Sequence, residues 1–160
     1  MKALIALLLL ASPAFAGQSV TVRNSPGGAV EDFDAQAREW ARDGVQVRIA
    51  GSCSSACNMY LMSKYKLDVC AEKGAKLQFH MPYFQVASAG SWSKVVTPEA
   101  LQHSKRNWAS EWLGQFNPKL NAALARATKN GLIPNPSASA DSVGMYSLKA
   151  ADFIPVCQPQ

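Results

Sequence analysis

Charged residues are scarce in this chain: they make up 17% of its 160 residues, against 48% hydrophobic. That balance excludes a disordered tail protein and a long coiled coil, and 10 Gly and 9 Pro without a triplet period exclude a collagen-like repeat. The length allows one domain. No internal repeat is present, and beyond residue 16 no apolar run reaches the ~20 residues needed to span a bilayer. Histidine is nearly missing, with His80 and His103 alone, and Cys53 and Cys57 stand at C-x3-C without the C-x2-C signature, which argues against a redox or zinc pair there, so neither metal nor cofactor is expected. Basic residues are strewn over Lys105, Arg106, Lys119, Arg126 and Lys129 without a stripe or an aromatic platform, which argues against a nucleic-acid partner.

What is present begins with a leader. Lys2 supplies a positive start, residues 3–10 an apolar stretch, and Ala14-Phe15-Ala16 a small-x-small cleavage site, so a signal peptide over 1–16 and a mature chain from Gly17 are expected. Gly17 is not a cysteine that could take a bacterial lipid, which leaves a periplasmic or secreted protein with no membrane span after cleavage. Removing 16 of 160 residues leaves 144, with 15 Lys and Arg against 11 Asp and Glu, a net charge of +4. Oxidising conditions let Cys53, Cys57, Cys70 and Cys157 form two disulfides, in any of three pairings.

Residues 19–23 alternate Val with polar side chains and run into the sharp turn Asn24-Ser25-Pro26-Gly27-Gly28, the pattern of a strand and its end. From 29 to 43, Val30, Phe33, Ala37, Trp40 and Ala41 fall at helical spacing, and Gly44 caps the helix. Residues 45–50 alternate again, completing a βαβ unit with parallel strands. The second strand is predicted to stop at Gly51 and to turn through Ser52-Cys53-Ser54 into a buried helix from Ser55. Short strands over 67–70 and 76–79 lead to His80, and 81–96 reads as a surface loop. Thr97 and Pro98 open a helix carrying Leu101, Trp108, Trp112, Leu113 and Phe116. A second helix over 118–130 carries Leu120, Ala123, Leu124 and Ala127; a loop over 133–142 and a strand over 145–148 follow.

A serine at a helix start is ordinarily a cap, and Ser54 or Ser55 fits that role. A strand that turns into a helix also lifts the next side chain out of the sheet and aims backbone N–H groups above it. Three blocks, Asn24-Ser25-Pro26-Gly27-Gly28, Gly51-Ser52-Cys53-Ser54-Ser55-Ala56-Cys57 and Phe79-His80-Met81-Pro82, resemble in order the S-P-G-G, G-x-A-A-S-M-G-A and I-H-Q-P motifs of the Clp protease proteolytic subunit. The likeness covers the first half of the mature chain. Within that superfamily, shared with the crotonases, the chain is most similar to small exported proteins with a C-x-S-A-C block.

The resemblance implies an α/β fold of repeated ββα units wound into one superhelical domain over 17–160, with C-terminal helices. It makes Ser55 a nucleophile, His80 its general base, and the N–H groups of Gly27 and Ala56 an oxyanion hole. A peptide or unfolded protein is the implied substrate. An ATPase partner is not expected, because an exported chain meets no ATP. Homo-oligomers are common in the superfamily, with the Trp108, Trp112 and Phe116 stripe as a candidate interface, although core packing is the more frequent fate of such a stripe. At the place of the family's acid stand Val143 or Gly144, which cannot orient an imidazole. Asp141 is the nearby carboxylate; it completes a triad with His80, or is an ordinary loop residue beside a dyad. No lysine is picked out for a Ser-Lys pair. A serine peptidase and an inactive binding or assembly module on the same fold are the two functions left in view.

Overall fold

The computed structural model of the chain describes residues 17–88, 90–139 and 144–159. The expected leader, residues 1–16, and the candidate acid Asp141 lie outside the described residues. Strand β1 (Ser19–Ser25) turns Val20 and Val22 toward the core, and helix α1 (Val30–Arg42) packs Phe33, Ala37 and Trp40 against it. Glu31 and Asp32 lie at the positive end of α1 and Arg42 at the negative end, where each sign is favoured. Strand β2 (Gln46–Ser54) returns parallel to β1, Ser19 opposite Gln46 and Ala50 opposite Arg23, completing the expected βαβ unit.

β2 is the central strand, and Val47, Ile49, Ala50 and Cys53 on it are buried. Its first half pairs with β3 (Asp68–Ala71) and its second half with β4 (Lys76–Phe79), both parallel. A hairpin, β5 (Gln85–Ser88) and β6 (Ser91–Lys94), corrects the reading of 81–96 as an irregular loop. Its strands carry little apolar alternation, so backbone pairing rather than a buried face defines them. Strand β7 (Tyr146–Lys149) runs antiparallel to β4, giving the order β1-β2-β4-β7 with β3 also beside β2. The molecule is thus mixed α/β with a mixed sheet.

Helix α2 (Pro98–Asn107) starts as predicted, Thr97 Oγ1 accepting from the Ala100 N–H at 3.1 Å. It passes into a π-helical turn, Trp108–Trp112, before α3 (Pro118–Lys129), which Asn117 caps at the Leu120 N–H. The wider turn keeps Trp108 and Trp112 stacked on one side, where they meet Phe79, Phe116, Leu120 and Leu124. Trp108, Trp112 and Phe116 are all buried, so this stripe is core and not an exposed interface. Trp108 Nε1 donates to Thr128 Oγ1 at 2.9 Å, satisfying its one polar atom.

Both disulfides form, as Cys53–Cys57 and Cys70–Cys157. The second ties β3 to the C-terminal segment, which also bonds through Ala71 N–H to Pro155 O at 2.7 Å and Cys157 N–H to Ala71 O at 3.0 Å. Two such bonds agree with an oxidising compartment. Among the described residues no helix is long and apolar enough to cross a membrane.

Candidate functional site

The strand that should have stopped at Gly51 does not stop there. Gly51 takes φ +71°, and its amide neighbour Ser52 donates to Asn24 Oδ1 at 3.0 Å, so a β1 side chain replaces a lost ladder bond. Asn24 itself sits at φ +48°, and the pairing slips between Arg23 and Ser25. An ideal Cβ on Gly51 would lie 1.9 Å from Asn24 Oδ1, so only glycine fits. β2 therefore continues to Ser54, with a bulge that carries Ser25-Pro26-Gly27 across its end.

Ser55 follows with φ +55°, a left-handed conformation rare for a side chain other than Gly, Asn or Asp. It opens the expected buried helix, which is a 3-10 helix, Ser55–Leu61, with Ala56 to Tyr60 buried. Gly27, at φ +85°, lies against this corner: a Cβ there would come 2.6 Å from Ser54 O, 2.7 Å from Ser55 Cβ and 3.1 Å from Ala56 N. The three residues Gly27, Ser55 and Ala56 are thus brought into contact. The Ala56 N–H precedes the first hydrogen bond of the 3-10 helix and is not consumed by it. The Gly27 N–H makes a long 3.3 Å bond to Ser25 Oγ.

Ser54 is not a helix cap; its buried hydroxyl donates to Gln78 Oε1 at 2.8 Å. Asn58, fully buried, donates from Nδ2 to both Ser55 O, at 3.1 Å, and Gln78 O, at 2.7 Å. It clamps the Ser55 corner to the end of β4. Asn58 and Gln78 were missed in the sequence; the available signal was one amide inside the apolar run from Ala56 to Met62.

His80 follows β4 directly, and Ser54 pairs with Gln78 one strand over, so Ser55 and His80 leave neighbouring parallel strands at the same end of the sheet. Adjacent strands are ~4.8 Å apart, so the two residues emerge on the same edge of the sheet. No hydrogen bond joins Ser55 Oγ to His80 among the described residues. His80 Nδ1 lies 2.6 Å from the Met81 carbonyl oxygen. A carbonyl can only accept, so Nδ1 carries the proton and Nε2 presents its lone pair. Burial holds the His80 pKa below its usual 6.5, the Met81 contact opposing only in part. The Tyr83 ring stands 5.4 Å from the imidazole, and His103 is exposed against Phe84.

The arrangement places a half-buried serine on a left-handed corner packed against Gly27 and Ala56, with an imidazole hydrogen-bonded at Nδ1 at the same end of the sheet. That set is suited to attack on a carbonyl. No known family model matches the chain, and no curated protein matches it.

Proposed function

We propose that the protein is an exported serine hydrolase acting on peptides, with the fold of the Clp protease proteolytic subunit and the crotonases. The observation that carries this reading is the contact of Gly27 with Ser55 and Ala56 at a left-handed corner. Backbone strain of this kind costs roughly 1–3 kcal/mol and persists where the surroundings enforce it, most often at functional sites. In the reaction, Ser55 Oγ attacks the scissile carbonyl carbon while His80 Nε2 takes the hydroxyl proton. The oxyanion accepts from Gly27 and Ala56, displacing the long Ser25 contact. His80 then returns the proton to the leaving amine, and water hydrolyses the acyl-enzyme by the same steps. Export, supported by the leader pattern and both disulfides, places the protein in the periplasm or outside the cell, where substrates are short or unfolded.

A fluorophosphonate probe tests the proposal, because attack on phosphorus uses the same hydroxyl and donors. Labelling is expected at Ser55, absent in Ser55→Ala, strongly reduced in His80→Ala, and abolished in Gly27→Ala, whose new Cβ collides with the Ser55 corner. Folded wild-type protein that takes no label over prolonged incubation would replace this reading with a binding module.

A further inference from the structure

Beside the candidate site, the segment after His80 is held with unusual care. Met81 N–H donates to Pro134 O at 2.8 Å, and Asn135 Nδ2 reaches Met81 Sδ at 3.3 Å. The Pro82 carbonyl accepts from Ser104 Oγ at 2.5 Å, and the same hydroxyl lies 3.0 Å from Asn135 Oδ1. Asn135 Oδ1 also accepts from the Ser137 N–H at 3.0 Å, which locks its orientation. Ser104 and Ser137 are buried, so these bonds are made away from water. Pro82 disfavours a helical backbone at Met81 and thereby limits where the Met81 carbonyl points. That carbonyl, outside the β4 ladder, is the acceptor of His80 Nδ1.

We propose that the Met81 carbonyl orients His80 in the place a carboxylate takes in a Ser-His-Asp triad, and that Asn135 is the positioning residue that keeps it there. The proposal rests on the hydrolase reading for its chemical meaning, but the geometry can be measured without it. A neutral acceptor fixes the tautomer as an acid would. It stabilises the imidazolium that forms during attack less than an anionic carboxylate does, so the protein is a slower hydrolase than one with a full triad.

Imidazole nitrogen NMR on the mature Ser55→Ala protein reads the tautomer directly, and wild-type inactivation by a fluorophosphonate reads the rate. His80 should be protonated at Nδ1 above its pKa. In Asn135→Ala it should shift toward Nε2 protonation, and the maximal inactivation rate should fall about 10- to 100-fold with little change in probe affinity. Ser104→Ala, which frees Pro82 while retaining Asn135, should shift both readouts in the same direction and serves if Asn135→Ala does not fold. An Nε2-protonated His80 in the parent overturns the proposal, as does an unchanged tautomer in folded variants. Loss of labelling in Asp141→Asn equal to that in His80→Ala also overturns it. If wild type takes no label yet the tautomer responds as expected, the orientation stands and the hydrolase reading alone falls.

Discussion

At the scale of the residue, His80 sets the pH dependence. In the proposed reaction attack requires the base form of His80, and burial lowers its pKa below 6.5. Labelling by the probe should therefore rise through a midpoint below pH 6.5 and be flat from about pH 7 to 8. Stability follows the same group. The unfolded chain binds this proton more readily than the folded one, so the contribution is present above the unfolded pKa and is lost as pH falls through the folded pKa. Urea denaturation at several pH values, wild type against His80→Gln, should show a smaller acid-side loss in the variant. A labelling midpoint above 6.5 would instead mean that an anionic group stabilises the imidazolium, contrary to the neutral carbonyl seen at Nδ1.

Among the elements, the decisive one is the helical layer behind the site. α1 is fastened to the segment after the 3-10 helix by Tyr65, whose hydroxyl donates to Asp34 at 2.5 Å. Arg38 and that hydroxyl hold the Asp34 pKa down to about 2. On the other side, Trp108 packs edge-on against Phe79, the residue before His80. Trp108→Ala should lower unfolding free energy by about 3–5 kcal/mol, the cost of emptying a buried aromatic site. Sedimentation of the folded variant should match wild type, because this face is core and carries no subunit contact. Loss of an oligomer without loss of stability would contradict that placement.

Across the whole molecule, the two disulfides do different things. Cys70–Cys157 joins residues 87 apart, and constraining so long a loop in the unfolded chain contributes about 4–5 kcal/mol in the entropic model. Cys53–Cys57 joins residues 4 apart and brackets Ser54, Ser55 and Ala56, so its effect is chiefly on local geometry. The double change Cys70→Ala and Cys157→Ala should cost about 3–5 kcal/mol in urea denaturation and leave the labelling rate of folded protein near wild type. Cys53→Ala with Cys57→Ala should show the reverse balance, a smaller stability loss and a larger fall in labelling. Equal effects of the two pairs on both measurements would refute this division.

Local chemistry was legible in the chain itself. Valine alternation, the helical spacing from Val30 to Ala41, and the Thr97-Pro98 start all act within a few residues, and each element appears where its pattern put it. Ser55, Gly27 and Ala56 were singled out from short motifs, and the structure brings them into contact. The rest depended on partners distant in sequence. Gly51 reads as a strand end, yet Asn24 supplies the missing acceptor from another strand, and β2 runs on. The aromatic stripe from Trp108 to Phe116 looks the same whether it meets a second copy or its own sheet; only packing against Phe79 settles it. The cysteine pairing was equally open, because it depends on the C-terminal segment returning to β3. The acceptor at His80 Nδ1 is a backbone carbonyl, and backbone atoms are common to every residue, so no side-chain pattern could have marked Met81 for that position.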